Sequence, residues 1–536
     1  MSRFRAEKIA NRLFGRRRQP AEAHRLAPED RIAVLPAKPI PRRPGWAVAL
    51  LCCAMLSGGP GALSAPTVEP IRLDPHNPRY FLFRGRPTVL ITSGEHYGSV
   101  MNVDFDYKKY LRTLAADGLN YTRLFGGSYV EVPGKSFGIA RNDLAPGAGR
   151  FLAPWMRSDV PGYAGGGNKF DLSRVNPEYL RRYSDFLAEA ARLGIVVEIS
   201  LFSSTYGDMQ WDVSPFNPAN NVNHTEVSDW RKLNTLENGN VLGFQERYTQ
   251  KLVEVANQFD NVVFEIQNEP WSDRPVLAGV INPYLARPGR DHYPNSIDLA
   301  DEASLAWQEK VAEWIVKEES PLPYRHLIAQ NYSNFRFPVR ALLPGVSIVN
   351  FHYAYAEAAL WNEGLDKAIA YDETGFLGPD DAAYRREAWN FLLSGGAAFD
   401  GLDYSFSLGH EDGSDGPPNG PGGGSAALRR QLGILERFLT GFALPELRPD
   451  REVVKHAAGA VARVLSSPGR QYAVYLDGSG PAQLTLELPQ GRYTAEWIDV
   501  VSGGRLRAES FEHSGGTKLL DSPKFLEGIA LRLLRE

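Results

Sequence analysis

Cysteine is almost absent from this sequence of 536 residues. Its two cysteines, Cys52 and Cys53, are adjacent and lie in a short apolar stretch near the N-terminus. A chain that loses this stretch on export would contain no thiol at all. The scarcity therefore argues against a disulfide framework, a cysteine nucleophile, and zinc or iron–sulfur sites with cysteine ligands.

Long apolar runs and an excess of basic charge are also missing from most of the chain. Beyond residue 66 there is no run of 18 apolar residues, so no membrane span is expected once a signal peptide is removed. Residues 1–65 contain 12 Lys and Arg against 4 Asp and Glu, and the remainder carries a formal net charge of −12. An acidic body disfavours nucleic acid as a partner, because phosphate binding needs a basic face.

The first 65 residues have the layout of a signal peptide with a long basic extension. The basic region leads into the apolar core WAVALLCCAMLSG (46–58), and small residues follow at Ala62, Ser64 and Ala65. This order predicts cleavage near residues 64–65 and export to the periplasm or the exterior. Retention as a membrane anchor is the alternative, and Arg42-Arg43 has flanking residues that fit a twin-arginine signal poorly.

Eight strand-like apolar runs, each ending in polar residues, follow one another along the middle of the chain. Amphipathic segments lie between most of them, and the clearest helix is predicted over 179–194, where Gly194 provides a stop signal. The eight runs are TVLITSGEH (88–96), GLNYTRLFG (118–126), GIVVEISLF (194–202), NVVFEIQNE (261–269), RHLIAQNYS (325–333), VSIVNFHYAY (346–355), KAIAYDETGF (367–376) and AAFDGLDYSF (397–406).

Strands that alternate with helices pair in parallel, and eight such units predict a (β/α)8 TIM barrel of the α/β class over residues 66–444. After about residue 445, short alternating runs separated by turn residues predict a small C-terminal all-β sandwich domain over 445–536. In a TIM barrel the active site is built at the C-terminal strand ends and the loops that follow them. The polar residues at those ends are therefore the candidates for function.

Two glutamates end strands on opposite sides of the predicted barrel: Glu269 is the last residue of the fourth run, and Glu373 lies in the seventh. Two carboxyl groups across a cleft are what cleavage of a glycosidic bond requires: one protonates the leaving oxygen and the other attacks the anomeric carbon. A separation of roughly 5–5.5 Å gives retention of configuration. The acid must be protonated at rest and the nucleophile ionised, so their surroundings must move the two pKa values apart.

The sequence Asn268-Glu269-Pro270 after an apolar strand, together with Glu373 in YDETGF, resembles the paired motifs of the clan A glycoside hydrolases. The family 5 cellulase-like enzymes are the nearest, and the apiosidase-like relatives are close. The resemblance covers about residues 70–440. It implies that Glu269 is the acid/base, that Glu373 is the nucleophile, and that Asn268 hydrogen-bonds the 2-hydroxyl of the sugar.

The resemblance also implies supporting residues. Arg123, in NYTR on the second strand, would hold the nucleophile ionised through charge-assisted hydrogen bonds. His352 matches the histidine of a sixth-strand motif that is commonly His-x-Tyr. This chain has Ala354 at the tyrosine position, which leaves Tyr353 or Tyr355 to contact the nucleophile.

Further candidates lie at strand ends and in the long loops. Glu95 and His96, in SGEHYG on the first strand, are candidate sugar-binding residues, and Trp155, Trp211 and Trp271 are candidates for stacking on sugar faces. The competing explanation is structural, because polarity resumes at strand ends and most tryptophans pack in cores. No metal and no organic cofactor is expected.

These observations predict an exported retaining glycoside hydrolase that cleaves O-glycosidic bonds of a polysaccharide or oligosaccharide by double displacement. A transglycosylase would use the same residues, with a sugar acceptor replacing water. Two other classes stay open: a non-catalytic carbohydrate-binding protein on a decayed barrel, and a surface adhesin whose β domain does the work. Periodicity does not specify the sugar, the linkage, internal or terminal attack, or the oligomeric state.

Overall fold

A computed structural model describes residues 69–282, 295–416 and 419–536 of the chain. The predicted signal peptide, residues 1–65, lies outside the described residues, so cleavage and export stay predictions. The described residues from 69 to 281 and from 295 onward belong to one compact unit. Within the described ranges, no helix combines the length and the apolar character needed to cross a membrane.

Eight parallel strands form a (β/α)8 barrel, as the sequence predicts, and each lies within or beside one of the eight apolar runs. In spatial order the ring runs β1-β8-β7-β6-β5-β4-β3-β2, and a parallel bridge between Glu95 and Arg123 connects β1 to β2. The strands are β1 (Leu90–Ile91), β2 (Tyr121–Phe125), β3 (Val196–Ser203), β4 (Val262–Asn268), β5 (Leu327–Asn334), β6 (Val346–His352), β7 (Ala368–Glu373) and β8 (Ala398–Phe399).

Helices cover the outside of the barrel and bury both faces of its strands, which explains why every residue of β3 and β4 is buried. The predicted helix at 179–194 is α2, with Asn176 as its N-cap and Gly194 as its left-handed C-cap. The helices are α1 (Tyr107–Ala116), α2 (Pro177–Leu193), α3 (Asp208–Val213), α4 (Val241–Ala256), α5 (Glu302–Glu319), α6 (Ala356–Leu360), α7 (Asp381–Leu392) and α8 (Ala426–Thr440).

The N-terminal end of the barrel is closed by a small antiparallel sheet of the segments Arg72–Leu73, Phe81–Phe83 and Arg86–Thr88. Ile71 and Phe81 pack there in one apolar cluster with the first residues of the barrel strands. Because this end is sealed by apolar packing, the polar strand ends can meet only at the opposite, C-terminal mouth.

Two insertions at the mouth contain hairpins. Between β2 and α2, the segments Trp155–Pro161 and Asn168–Val175 pair in antiparallel fashion. After β4, the segments Pro275–Val280 and Ser296–Ala300 pair with each other, and the second of them also pairs with β5. The connection between β5 and β6, all of which the structure describes, contains no helix.

A seven-stranded antiparallel sheet forms the C-terminal part, in the order β9-β10-β11-β15-β12-β13, with β14 paired to β11. The first half of β11 pairs with β15 and its second half with β14, and both halves contribute to one buried apolar cluster. The sheet therefore folds over itself into a sandwich-like domain. Its strands are β9 (Arg448–Pro449), β10 (Val454–Ser467), β11 (Gln471–Leu488), β12 (Gly491–Asp499), β13 (Arg505–His513), β14 (Gly516–Asp521) and β15 (Ile529–Arg535).

Candidate active site

Glu269 and Glu373 meet at the C-terminal mouth of the barrel. Glu269 directly follows β4, and Glu373 is the last residue of β7. One carboxyl oxygen of each lies within 4.8 Å of the other. The hydroxyl of Tyr353 lies 2.6 Å from Glu373 Oε1 and 3.1 Å from Glu269 Oε1, so one tyrosine bridges both groups. The two glutamates are only 8% and 5% exposed.

The backbone at three neighbouring strand ends is in the left-handed region, which is costly for residues other than glycine. The φ angles are 47° at Glu269, 60° at Phe335 and 52° at Tyr353. Hydrogen bonds hold this geometry: Glu269 N donates to Asn331 Oδ1 at 2.9 Å, Phe335 N to His352 O at 2.6 Å, and Tyr353 N to Glu373 O at 2.9 Å. Two of these three strained residues, Glu269 and Tyr353, are candidate site residues.

His352, the last residue of β6, lies between the two glutamates and the barrel interior. Its Nδ1 is 3.1 Å from Glu269 Oε1 and 3.6 Å from Glu373 Oε1, and its Nε2 is 3.5 Å from Asp372 Oδ1. The ring is fully buried, and Trp271 packs edge-on against it at 5.3 Å. The sequence-predicted His352 and Trp271 thus both lie at the site.

Arg123 contacts the predicted nucleophile mainly through another side chain, which differs from the direct contact that the sequence suggests. Its Nη1 is 3.7 Å from Glu373 Oε2, too long for a hydrogen bond. Instead, Arg123 Nη1 donates to the Tyr97 hydroxyl at 2.6 Å, and that hydroxyl lies 2.6 Å from Glu373 Oε2 and 2.9 Å from Glu95 Oε2. Arg123 also pairs with Glu95 at 3.1 Å and with Glu265 at 2.6 Å.

Asn268 is fixed from both sides of its amide. Its Oδ1 accepts from Arg123 Nη2 at 3.0 Å, and its Nδ2 donates to the Tyr206 hydroxyl at 2.9 Å. This orientation keeps the amide beside Glu269, although contact with a sugar 2-hydroxyl stays a prediction.

The remaining candidates divide into those at the site and those away from it. Glu95 is buried beside Arg123 and Tyr97. His96 stacks on Phe105 at 5.5 Å and lies 3.6 Å from Asp143. Within the described residues, no ring contact or side-chain hydrogen bond links Trp211 of α3 to either glutamate.

The packing shows where two of the aromatic candidates lie relative to the site. Trp155 packs against Phe216 and Tyr248, at 5.1 and 5.3 Å between ring centroids, and is buried in the main apolar cluster. Of the two tyrosines after His352, Tyr353 contacts Glu373, the predicted nucleophile, whereas Tyr355 is 43% exposed.

Sequence reasoning missed several residues at or below the site. Tyr97 follows His96 directly, but neither periodicity nor charge marks it. Three buried carboxylates could have been predicted to matter, because each lies within an otherwise apolar strand and such groups are rarely buried without a partner. They are Glu198, Glu265 and Asp372.

These buried carboxyls accept hydrogen bonds from asparagine amides beneath the mouth. Asn350 Nδ2 lies 2.7 Å from both Glu198 Oε1 and Asp372 Oδ2, and Asn331 Nδ2 donates to Glu265 Oε1 at 3.0 Å. Burial, reinforced by repulsion from Glu265 and Asp372, raises the pKa of Glu198 to about 8.

Two groups of side chains offer ligand atoms within 4.8 Å of one another, close enough to hold a metal ion. In the deeper group, an amide donor lies between two of the oxygens, where a cation would need another acceptor. Its chemistry therefore fits shared protons better than a metal. The two groups are Glu269, His352 and Glu373 at the mouth, and Glu198, Glu265 and Asp372 below it.

The pKa values of the two site glutamates move apart, but in the order opposite to the sequence expectation. Burial alone would raise the pKa of Glu269. The hydrogen bond and the attraction from His352, together with hydrogen bonds from the Tyr206 and Tyr353 hydroxyls, outweigh burial, so that the pKa of Glu269 is lowered. Burial and repulsion from Glu269 raise the pKa of Glu373, against the attraction of His352. Burial opposes a charge on His352, but the carboxylates of Glu373 and Asp372 outweigh it and raise its pKa well above the ordinary value.

Of the two glutamates, Glu373 therefore has the higher pKa and Glu269 the lower. The cause is the position of the imidazolium, which is nearer to Glu269 than to Glu373. An acid/base role for Glu269 therefore requires that a proton move to Glu269 before the reaction begins.

Comparison with solved structures finds the same fold in proteins described as glycoside hydrolases. One, titled only "Glycoside hydrolase", is 12% identical, with 88% of this chain and 98% of that one covered and a TM-score of 0.57. A putative glycoside hydrolase from Bacteroides vulgatus is 13% identical over 88% of this chain and 83% of its own, with a TM-score of 0.58.

A glycoside hydrolase family 5 protein from the same organism is 12% identical over 87% of this chain and 93% of its own, with a TM-score of 0.55. The predicted likeness in fold to cellulase-like enzymes is thus confirmed, and at these identities it extends to the fold alone. No protein-family model matches the sequence. No curated protein matches it either.

Proposed function

We propose that this chain is an exported retaining glycoside hydrolase that cleaves a polysaccharide or oligosaccharide, with Glu269 as acid/base and Glu373 as nucleophile. The observation that carries the proposal is the convergence of two buried carboxyl groups, with oxygens within 4.8 Å, in the mouth of a (β/α)8 barrel. Retaining enzymes separate these groups by roughly 5–5.5 Å and inverting enzymes by roughly 6.5–9.5 Å. The spacing supports direct attack by one carboxylate rather than by a water held between two.

In the first step, Glu373 attacks the anomeric carbon while Glu269 donates a proton to the departing oxygen, and a covalent glycosyl ester forms. In the second step, Glu269, now ionised, removes a proton from water, and the water oxygen displaces Glu373. Tyr353 and Tyr97 each place a hydroxyl 2.6 Å from a Glu373 oxygen, so both stabilise the carboxylate when it leaves the sugar.

The proton must lie on Glu269 when the first step begins, although Glu373 has the higher pKa of the two. The Tyr353 hydroxyl lies within hydrogen-bond distance of both carboxyls and offers a path between them. Glu373 passes its proton to the tyrosine oxygen, and the tyrosine passes its own to Glu269. This transfer leaves Glu373 ionised, as it must be to attack the anomeric carbon, where positive charge develops in the transition state.

The activity is tested with a panel of nitrophenyl glycosides and polysaccharides, and proton NMR of the first-formed product shows whether the anomeric configuration is kept. Glu269→Gln and Glu373→Gln should each lower kcat on the natural substrate by about 10³-fold or more. Glu387→Gln is the matched control, since Glu387 is a half-buried carboxyl that accepts hydrogen bonds from Tyr371 and Thr374 instead. An inverted product would remove Glu373 from the nucleophile role, and products longer than the substrate would indicate transfer to sugar.

The order of the pKa values makes a direct test of the two roles necessary. Azide can replace the missing carboxylate of an alanine variant acting on an aryl glycoside with a good leaving group. Glu269→Ala should give a glycosyl azide of retained configuration, because Glu373 still forms the ester that azide then displaces. Glu373→Ala should give the inverted azide, by direct attack. The opposite pairing of variant and product would exchange the roles.

A further inference from the structure

Three exposed aromatic side chains lie in connections that follow barrel strands at the mouth. They are Tyr355, Trp361 and Phe376, which are 43%, 51% and 36% exposed. Among the described residues, no other Phe, Tyr or Trp side chain is exposed to this degree. The three, called the aromatic rim below, come from the connections after β6 and β7.

Ring contacts join the aromatic rim to the two glutamates. Phe376 packs against Tyr353 at 5.7 Å between centroids, and Tyr353 is the residue that bridges both carboxyls. On the other side, Phe335 lies 6.2 Å from Tyr353 and stacks on Tyr355 at 6.3 Å. Phe335 is buried and is held by the left-handed turn at the end of β5, so it supports the outer rings from below.

Arg336 connects Trp361 to Tyr355. Its guanidinium lies 5.0 Å from the Tyr355 ring centroid and 5.4 Å from that of Trp361, and it pairs with Glu357 at 3.5 Å. The arrangement places N–H donors beside exposed ring faces. Sugars offer the complement of such a surface, since their C–H faces stack on aromatic rings and their hydroxyls accept hydrogen bonds.

Exposed apolar side chains that cluster beside a cleft are typical of ligand-binding surfaces. The catalytic pair itself can hold only the two sugar units on either side of the cleaved bond. We propose that the aromatic rim is a further sugar-binding subsite, which takes a unit of the same carbohydrate chain beyond those two. This inference rests on the proposed function and makes it more specific: the substrate is a chain of several sugars, and the rim sets its preferred length.

The test compares the wild-type protein with Tyr355→Ala, Trp361→Ala, Phe376→Ala and the triple variant. Substrates are aryl monoglycosides and oligosaccharides of two to six units, drawn from whichever of carboxymethylcellulose, glucomannan, arabinoxylan or laminarin the wild-type protein cleaves. Each alanine should lower kcat/KM on the longest oligosaccharide by about two- to tenfold, the effect of one stacking contact. On the aryl monoglycoside the change in Tyr355→Ala and Trp361→Ala should stay within about twofold, whereas Phe376→Ala also removes a ring that packs on Tyr353 and should lower both activities.

Leu526→Ala is the matched control, since Leu526 is 79% exposed and apolar but belongs to the C-terminal part of the chain. Binding is measured separately by affinity electrophoresis of Glu373→Gln in gels containing the same four polysaccharides. The retardation of this variant should be lost when the three rim substitutions are added.

The outcomes separate the two proposals. Cleavage with an unchanged dependence on chain length in the triple variant would overturn the aromatic rim alone. Absence of both cleavage and retardation on all four polymers would count against the glycosidase and the subsite together. Self-association of the wild-type protein that disappears in the triple variant, with unchanged kinetics, would assign the patch to a second copy of the chain.

Discussion

Tyr353 is the residue that couples the two carboxyls, because its single hydroxyl reaches both. Tyr353→Phe keeps the ring packing against Phe376 and removes only the hydroxyl. A hydrogen bond to a charged group contributes about 1.5–3 kcal/mol, so kcat should fall by roughly ten- to a hundredfold. Steady-state kinetics on an aryl glycoside measures the effect.

Tyr107→Phe is the control for this change, since the Tyr107 hydroxyl bonds Asp185 on the outside of the barrel. Its kcat should be that of the wild type. If Tyr353→Phe were equally silent, neither stabilisation of Glu373 nor proton transfer through this hydroxyl could be part of the mechanism.

His352 should set the pH range of activity through its charge. The imidazolium lowers the pKa of both Glu269 and Glu373. In His352→Asn that charge is gone, ionisation of either carboxyl becomes harder, and both pKa values rise. The active form has one proton on the pair, so the acidic and the alkaline limbs of the kcat/KM profile should both move to higher pH.

Exposed His76 provides the control, as His76→Asn should leave the pH profile unchanged. Limbs that stay in place in His352→Asn, or that move to lower pH, would mean that His352 is neutral in the working enzyme.

At the scale of the strands, periodicity placed all eight barrel elements but not their lengths. The run at 88–96 predicts a long first strand, whereas the strand itself is only Leu90–Ile91 and pairing resumes as a single bridge between Glu95 and Arg123. The chain leaves the sheet near Gly94, where a Cβ would lie 2.7 Å from the Tyr110 hydroxyl, and Glu95 and Tyr97 then bend toward Arg123. Such contacts between distant side chains have no periodic signature, so Tyr97 could not be assigned from the sequence.

The candidate catalytic pair could be predicted from the sequence for a different reason. Glu269 and Glu373 are the terminal carboxylates of two strands, and barrel symmetry alone brings strand ends four and seven to one mouth. The direction of their pKa shifts was not accessible, because it depends on the 3.1 Å contact between His352 and Glu269. Strand order predicts which groups meet, and only packing decides which of them holds the proton.

The buried layer formed by β2, β4 and β7 depends on Arg123. Its guanidinium is fully buried among Glu95, Glu265 and Asp372. Arg123→Met removes the cation and leaves three carboxyls facing one another, which should cost about 3–5 kcal/mol of unfolding free energy at pH 7. The loss should be smaller at pH 5, because burial raises the pKa of Glu95 and Glu265 and these groups can then take up protons.

Urea denaturation at the two pH values measures this difference. Arg112→Met removes a half-exposed arginine whose nearest carboxylate, Glu189, is 3.9 Å away, and it should change stability by no more than about 0.5 kcal/mol. An Arg123→Met variant as stable as the control at pH 7 would contradict the dependence of this layer on a charged arginine.

For the molecule as a whole, buried carboxyls predict a stability that falls as pH rises. Burial raises the pKa of Glu131, Asp273 and Glu387 to about 7, and that of Glu198 to about 8. A carboxyl whose folded pKa is raised contributes its full stability below its unfolded pKa and loses it as pH rises through the folded value. The Tm should therefore decrease between about pH 5 and pH 8.

Glu387→Gln isolates one of these groups. The amide cannot ionise and can still accept the hydrogen bond from Tyr371. Relative to the wild type, its Tm should be higher at pH 8 than at pH 5, as followed by calorimetry in matched buffers. A constant difference across this range would mean that Glu387 is already ionised in the folded protein.

The C-terminal sheet raises the question of whether 445–536 is an independent accessory domain, as the sequence division suggests. Trp389 of α7 stacks on Tyr475 of β11 at 5.3 Å, and Leu465, Ala473 and Tyr475 belong to the same apolar cluster as the barrel helices. Arg386 adds an ion pair with Asp477 at 2.8 Å. We propose that this sheet is a structural partner of the barrel, because deleting it would expose a fully buried tryptophan.

Calorimetry of the full chain should then show one cooperative transition that includes both parts. Trp389→Ala should lower the Tm of that transition and cost about 3–5 kcal/mol, the usual effect of removing a large buried ring. A chain truncated after residue 444 should be less stable but should keep the candidate active site. Its activity must therefore be compared with that of the full chain at a temperature below its own Tm. Two separate transitions in the full chain, with the barrel transition unchanged after truncation, would instead establish the sheet as an independently folding module.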